Sequence, residues 1–162
     1  MGNRIGHNLV HTGENQRLVA ALVAQNVNFL IVGGLAVAWH VHEREADDLD
    51  ILVEDTEIND QRISDALVRL GFEPSPPGKF LTPGVQMPLK SGFYADILTP
   101  KVGAPNFSDC YSDSVQAHLF DIPIRVASIP TLIALKEFSI RQSRDSHDKH
   151  MADLALLHRA AA

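Results

Sequence analysis

Two aspartates in one predicted β-strand are the residues of this sequence best placed to do chemistry. Asp48 and Asp50 belong to the segment Asp48-Leu-Asp-Ile-Leu-Val53, whose alternation of polar and apolar residues predicts a strand. Residues two apart in a strand project to the same face, so we expect both carboxylates on one patch and Leu49, Ile51 and Val53 on the other face.

A third aspartate, Asp96, interrupts the otherwise apolar predicted strand over residues 93–98. A carboxylate in such surroundings is costly unless it is hydrogen-bonded, paired or bound to a metal ion. If this strand lies beside that of Asp48 and Asp50, three carboxylates meet at one edge. Such an oxygen-rich site suits Mg²⁺ or Mn²⁺, and two such ions about 4 Å apart hold the attacking and leaving oxygens of a phosphoryl displacement.

The pair Gly33-Gly34 follows a short apolar run over residues 27–32 and precedes a helix-compatible segment over 35–41. Glycine lets the backbone approach a phosphate closely, and the following helix would present unpaired N–H groups to it. By itself, a Gly-Gly pair after a strand is more often a tight turn. Combined with the three aspartates, it predicts a phosphate-binding loop.

The elements that must position these residues alternate along the chain. We expect helices over 14–25, 35–41, 60–70 (capped by Asp60), 128–141 and 146–160, and strands over 27–32, 48–53, 93–98, 115–120 and 122–127. The segment 72–92 is rich in Pro and Gly and is expected to form short edge strands around 79–81 and 85–89, and a loop runs through Cys110. The sequence therefore predicts an α/β (α+β) fold with a mixed sheet flanked by helices.

Composition limits the class of protein. Of 162 residues, 45% are hydrophobic and 21% charged, which is typical of a globular chain. We expect a single domain over 1–162, with a core over about 14–127 and a helical part over about 128–162. No apolar run is long enough to cross a membrane, the start of the chain is polar, and the lone Cys110 fits a reducing compartment, so a cytoplasmic location is expected.

The charges are unevenly distributed. Between positions 43 and 60 there are nine acidic residues and one base, Arg44, whereas bases slightly exceed acids from Lys136 onward. This suits a divalent cation at one pole and phosphate at the other. The net charge of -6 disfavours broad non-specific binding of nucleic acid, although it does not exclude a local basic patch.

The combination of Gly33-Gly34, Arg44-x-x-x-Asp48-Leu49-Asp50 and the later Asp96 resembles the nucleotidyltransferase superfamily, which shares the DNA polymerase beta fold. The branch it most resembles contains the abortive-infection (AbiEii-type) toxins of toxin-antitoxin systems and small lincosamide and aminoglycoside nucleotidyltransferases. The resemblance covers about residues 29–98, with a weaker likeness over 129–136 and 147–157. It implies that a nucleoside monophosphate moves from an NTP to an acceptor while pyrophosphate leaves.

The resemblance also implies roles for the aspartates. Asp48 and Asp50 would ligate the metal ions, Mg²⁺ or Mn²⁺. Asp96 would help to bind one of them and would orient or deprotonate the attacking hydroxyl. The sequence departs from the family at Ala46, where a Thr or Ser is common, and this puts local hydrogen bonding in doubt rather than the metal site.

Nucleotide binding is implied for a second set of residues. Gly33 and Gly34 would shape the triphosphate loop, and Lys136 would approach the phosphates from the helical part. The other implied candidates are bases: Arg44, Arg141 and Arg144.

Several alternatives remain open at this point. Arg44 can instead neutralise the neighbouring acids, Lys136 can be a lysine at the rim of the core, and His147 to His150 are better explained as charges at a helix start than as a metal site. The acceptor can be tRNA or another RNA reached through Arg141, Arg144 and Lys149, a small molecule such as an antibiotic, or a protein hydroxyl.

The alternatives for the whole protein are a non-catalytic nucleotide-binding or regulatory module of the same fold, and an unrelated α/β domain whose acids decorate its surface. An antitoxin partner is expected if the protein is a toxin.

Overall fold

The structure is a computed structural model that describes residues 13–46, 48–90, 92–142 and 147–161. Its helices are α1 (Asn15–Ala24), α2 (Gly33–His40), α3 (Glu57–Arg69), α4 (Phe107–Ser112), α5 (Ile129–Gln142) and α6 (His147–Ala161). Its strands are β1 (Phe29–Val32), β2 (Leu49–Val53), β3 (Gln86–Leu89), β4 (Ala95–Leu98), β5 (Val115–Leu119) and β6 (Ile122–Val126).

The strands form one mixed sheet in the order β3-β4-β2-β1-β6-β5. The pairs β2/β4 and β1/β6 are parallel, and the pairs β1/β2, β3/β4 and β5/β6 are antiparallel. All four residues of β1 are buried, as its unbroken apolar sequence predicts for a central strand. In β2 the partly exposed position is Asp50, and its apolar neighbours on both sides are buried.

The helices fix the end of β1 where the glycine pair lies. Helix α1 packs against α3, whereas α2 packs against β1, β2 and the two C-terminal helices, α5 and α6. One apolar core runs from Leu18 in α1 to Leu157 in α6. The predicted mixed sheet flanked by helices is therefore confirmed. Within the described ranges, no helix combines the length and apolar character that crossing a bilayer requires.

Helix α3 begins three residues earlier than the sequence predicts. Its N-cap is Thr56, whose hydroxyl accepts a hydrogen bond from the Asn59 N–H at 3.3 Å, so the prediction of Asp60 as the cap is wrong. The Asp60 carboxylate instead accepts hydrogen bonds from the N–H groups of Gly78 and Phe80, each at 2.9 Å. Asp60 therefore ties the following loop to α3.

Two further expectations are corrected. Residues Lys79–Leu81 form a short 3₁₀ helix rather than an edge strand, because Gly78 adopts a left-handed conformation at φ +85° and the chain turns there. The segment through Cys110 is helix α4 rather than a loop, and the Asn106 side chain caps it by accepting from the Asp109 N–H at 2.8 Å. The Cys110 thiol is buried, and that burial raises its pKa.

Candidate functional site

The glycine pair forms the first turn of α2, directly after β1. Gly33 has φ +69°, a left-handed conformation that favours glycine. A Cβ atom built on Gly33 would collide with the carboxylate of Asp50, and one built on Gly34 would lie 2.7 Å from the Arg44 guanidinium. Charged side chains therefore lie directly against the backbone of this turn, and Gly33 also has a backbone conformation that favours glycine.

We expect Gly33→Ala to destabilise the protein by about 1–3 kcal/mol, since it adds backbone strain and displaces Asp50. The matched control is Gly71→Ala, because Gly71 has φ +94° but no atom within 4 Å of the added Cβ. Urea denaturation of both variants separates the collision from the strain. Equal losses of unfolding free energy in the two variants would show that displacing the Asp50 carboxylate has no free-energy cost.

Asp50 and Asp96 lie side by side on two inner strands of the sheet. They are register partners in the parallel strands β2 and β4, and Asp50 is also paired across the sheet with Val32 at the end of β1. Register partners project to the same face of a sheet. Asp96 is only 8% exposed, so this carboxylate is not a solvent-facing charge.

Asp48 is linked to Asp96 through a lysine. The Lys90 ammonium lies 2.8 Å from Asp48 Oδ2 and 3.5 Å from Asp96 Oδ1. Partial burial would lower the pKa of Lys90, but its hydrogen bond to Asp48 and the charge of Asp96 outweigh that effect and raise it. Lys90 is thus a firmly protonated cation between two of the three predicted site carboxylates.

We call Asp48, Asp50 and Asp96 the carboxylate edge. Its mutual repulsion affects the pKa of Asp50. Burial, followed by the charge of Asp96, raises the pKa of Asp50 to about 6. The positive charge of Lys136 acts in the opposite direction but does not compensate fully. A carboxylate in this state is stabilised by any further cation brought next to it.

The donor set of this edge fits a magnesium or manganese ion. It consists of carboxylate oxygens, the ligands that Mg²⁺ prefers, and it already attracts the ammonium group of Lys90. Among the residues that the structure describes, no three acidic, histidine or cysteine side chains are already gathered as a set of metal ligands. The chemistry of Asp48, Asp50 and Asp96 therefore suits the ion, and a site formed by all three remains a prediction.

Arg44 pairs with Asp153 of α6. Its Nε donates to Asp153 Oδ1 at 2.8 Å, and its Nη2 lies 3.5 Å from Asp153 Oδ2. Lys136 of α5 also pairs with Asp153, at 3.0 Å. We call Arg44, Lys136 and Asp153 the buried charge triad. It links the loop before β2, α5 and α6 around the glycine turn.

The buried charge triad is held in its ionised form. Burial alone would raise the pKa of Asp153, but the hydrogen bond from Arg44 and the charge of Lys136 outweigh burial and hold that pKa below its usual value. Lys136 is 8% exposed, so it is not a lysine that extends to solvent from the rim of the core.

His150 lies about one turn before Asp153 in α6 and contacts Lys136 of the triad. Its Nδ1 lies 3.4 Å from the Lys136 ammonium. Burial and the charge of Lys136 lower the pKa of His150, so its ring is neutral at pH 7 and its Nδ1 can accept from Lys136.

A cavity of about 390 Å³ opens in front of these residues. The glycine pair and Asp50 line it, and so do Lys136 of α5 and Lys149 of α6, which we call the basic wall; His150 lies beside Lys136. Apolar side chains of β4, α5 and the loop after β4 also line the cavity, including Leu98, Leu132 and Phe138. The cavity thus brings the Asp50 carboxylate and the basic wall together, within the size range of small-ligand sites.

The remaining predicted residues lie elsewhere. Arg44, Asp48 and Asp96 do not line the cavity. Asp96 is the register partner of Asp50, which lines it, and Arg44 shares Asp153 with Lys136, which also lines it. The Arg141 guanidinium lies at the end of α5, 6.0 Å from the centre of the Phe138 ring, outside the cavity. Arg144 lies outside the described residues.

Sequence reasoning did not assign roles to Asp153, His150 or Lys90. The sequence predicts His150 only as one of the charges at a helix start, and it places Asp153 only within the weaker family likeness over 147–157. A polar residue spaced toward the buried face of α6 is the available signal for Asp153. Lys90 lies within the Pro/Gly-rich segment and gives no comparable signal.

Comparisons with known proteins agree on the fold. No protein-family model matches the sequence, and no curated protein matches it significantly. The solution structure of the antibiotic-resistance factor ANT(2'')-Ia is 16% identical with a TM-score of 0.58, and the match covers 91% of this chain and 82% of that chain. The crystal structure of ANT(2'')-Ia with adenylyl-2''-tobramycin is 16% identical with a TM-score of 0.56, over 91% of this chain and 87% of that one.

An antigenic nucleotidyltransferase-like protein from Paracoccidioides brasiliensis is 14% identical with a TM-score of 0.51, over 90% of this chain and 77% of its own. Identities this low establish the fold alone. The predicted resemblance to nucleotidyltransferases is confirmed at that level, and the closer likeness to abortive-infection toxins stays a prediction. This chain therefore has the fold of these nucleotidyltransferase structures.

Proposed function

We propose that this protein is a metal-dependent nucleotidyltransferase that moves a nucleoside monophosphate from an NTP to a hydroxyl acceptor. The observation that carries the proposal is that Asp50, the register partner of Asp96 and the neighbour of Gly33, lines one cavity together with Lys136 and Lys149. A triphosphate and its cations need both kinds of charge within a few ångströms, and this cavity supplies them.

The basic wall binds the triphosphate in this proposal. Lys136 is positioned by Asp153, and Lys149 lies one turn from Asp153 on the same helix. Next to Asp50, the glycine turn lets phosphate oxygens approach the N–H groups that begin α2. These contacts hold the α-phosphate in front of the carboxylate edge.

The carboxylate edge performs the transfer. The acceptor oxygen forms a bond to the α-phosphorus, the bond from that phosphorus to the bridging oxygen breaks, and pyrophosphate leaves with the electron pair. Asp96 orients the acceptor hydroxyl and takes its proton. Asp48, Asp50 and Asp96 would hold a divalent ion, and such an ion would neutralise the charge that develops on the phosphate oxygens. Catalysis is then mainly positioning and electrostatics.

The acceptor is proposed within two classes. The fold is shared with ANT(2'')-Ia, which was crystallised with an adenylylated antibiotic, and this favours a small hydroxyl-bearing molecule. An RNA end is the alternative, and a toxin with an antitoxin partner is the biological setting that it would imply.

The proposal is tested by incubating the protein with Mn²⁺ and each α-labelled NTP, first with total RNA and then with aminoglycosides and lincosamides. We expect labelled acceptor and stoichiometric pyrophosphate with one NTP. Asp96→Asn should abolish both, whereas the exposed surface variant Asp55→Asn should retain them.

A thermal melt in the presence of Mn²⁺ gives a second readout. At about 100 times the dissociation constant, binding to the native state adds about 2.7 kcal/mol, or about 5–10 °C for a chain of this length. Metal binding without any pyrophosphate release would favour the non-catalytic module, and an unchanged melting temperature would contradict the metal site.

A further inference from the structure

A second cleft, of about 550 Å³, lies at the opposite end of β1 from the glycine pair. Strands β1 and β6 pair at Ile31 and Val126, near the glycine turn, whereas the cleft lies towards their other ends, at Phe29 and Ile124. Its lining includes four buried apolar residues, Val27, Phe29, Ala117 and Ile124, and the other lining residues come from α1, the segment before β1, α3, α4 and the β5/β6 hairpin. It is therefore separate from the cavity that contains Asp50.

Two arginines make this cleft basic. Arg62 of α3 and Arg125 of β6 line it, and none of the described residues that line it is an Asp or Glu, in a chain of net charge -6. Arg62 Nη1 donates to the Asn26 carbonyl at 3.1 Å, and Arg125 donates to the Ser114 hydroxyl at 2.6 Å and to the Ser114 carbonyl at 2.7 Å. These hydrogen bonds hold each arginine in place. Because a guanidinium has five N–H donors, each arginine still has donors left for a ligand.

An aromatic ring stands beside these charges. Tyr111 of α4 is 39% exposed, Phe107 stacks on it with ring centroids 5.5 Å apart, and the Arg125 guanidinium lies 5.7 Å from its ring centre. The exposed side chains of Gln116 and His118 on β5 add hydrogen-bonding groups. A supported, partly exposed ring beside preorganised guanidinium groups is the combination that binds bases and phosphates together.

We propose that this cleft binds a short stretch of single-stranded nucleic acid. Arg62 and Arg125 contact successive phosphates, since guanidinium groups match the geometry of phosphate oxygens. A base packs against the part of the Tyr111 ring that Phe107 and Arg125 leave exposed. An acidic peptide would satisfy the arginines but would not use this exposed part of the ring, so the nucleic acid fits more of the cleft. The proposal concerns binding and does not depend on transferase activity.

The test is fluorescence anisotropy of a labelled oligoribonucleotide of about 12 nucleotides with the whole chain. We expect Arg62→Glu to weaken binding at least about tenfold. Each lost phosphate contact should reduce the slope of log affinity against log salt by about 0.7. Tyr111→Leu should also weaken binding about tenfold, but it removes no charge and should leave the salt slope unchanged.

The matched control is Arg69→Glu, an equal charge reversal at an exposed position of the same helix, outside the cleft. It should bind as the unmodified protein does, and circular dichroism melts establish that each variant is folded. Absent binding, or equal losses in Arg62→Glu and Arg69→Glu, would overturn the proposal. Displacement by saturating ATP would place the strand in the other cavity, and equal displacement by polyglutamate would assign the cleft to acidic protein segments; either result would overturn it too.

Discussion

Replacing Asp50 by Asn is expected to abolish nucleotidyl transfer and, in the absence of metal, to make the protein more stable. The loss of activity should exceed about a thousandfold. A lost metal ligand removes several kcal/mol of charge stabilisation in the transition state, and each 1.36 kcal/mol is a factor of about ten in rate. Labelled-NTP turnover at saturating Mn²⁺ measures this effect.

The gain in stability follows from the surroundings of Asp50. Burial and the neighbouring Asp96 raise its pKa to about 6, so at pH 7 the folded protein holds an ionised carboxylate that is less stable than in the unfolded chain. An amide of the same shape removes the repulsion, and we expect the free energy of unfolding to rise by about 1–2 kcal/mol after screening by solvent.

The stability gained by Asp50→Asn should depend on pH in a defined direction. Wild-type Asp50 takes up a proton in the folded state as the pH falls below about 6. The advantage of Asp50→Asn is therefore full at pH 7.5 and shrinks towards pH 5. Urea denaturation in EDTA at both values measures it, with Asp55→Asn as an exposed acid-to-amide control. A variant that is both inactive and less stable than wild type at pH 7.5 would instead indicate that Asp50 makes structural contacts.

Asp153→Ala is expected to produce the largest loss of stability, about 3–5 kcal/mol. It leaves the charges of Arg44 and Lys136 with no carboxylate between them, and removing one partner of a buried ion pair has a cost of that size. Asp148→Ala on the same helix is the matched control, because Asp148 is exposed. We expect the control to differ from wild type by less than about 0.5 kcal/mol in urea denaturation.

The same residue is expected to affect function through Lys136. Without Asp153 the Lys136 ammonium loses its anchor in the basic wall, so the KM for the NTP should rise while the Mn²⁺ affinity measured by thermal melts stays close to that of wild type. Asp153→Asn should recover part of the stability, since an amide oxygen still accepts from Arg44. If Asp153→Ala and Asp148→Ala lose equal stability, the buried charge triad contributes nothing beyond a surface charge.

Acid titration provides an independent check on the triad. The pKa of Asp153 is lower in the folded protein than in the unfolded chain, so its contribution is complete above the unfolded value near 4 and is lost as the pH falls through the folded value. The gap in stability between wild type and Asp153→Ala should therefore close only below about pH 4.

The carboxylate edge could be predicted from the sequence because the evidence for it is local. Alternation placed Asp50 on one face of a strand, and an apolar run interrupted by Asp96 marked a second strand. Only their adjacency had to be assumed, and the parallel register of β2 and β4 supplies it. The glycine pair was predictable for the same reason, since a Gly-Gly step between a strand and a helix is visible without any tertiary contact.

The buried charge triad could not be predicted in this way. Arg44 and Asp153 are 109 positions apart, and they meet only because α6 packs against α2. An arginine in a highly acidic stretch has closer acids to pair with, and no local pattern selects the distant one. The early start of α3 was missed for a related reason: Asp60 is a good capping residue, but its oxygens are taken by Gly78 and Phe80 across a loop.

Lys90 gives the protein a counter-ion of its own. It follows β3, the outermost strand on its side of the sheet, and its ammonium bridges Asp48 and Asp96. The chain is thus expected to fold in a chelator without waiting for a divalent ion, since the repulsion between these acids is already partly neutralised. Loading of a divalent ion would then replace a single positive charge by a double one, and the displaced lysine would be free to contact the phosphates that arrive with the ion.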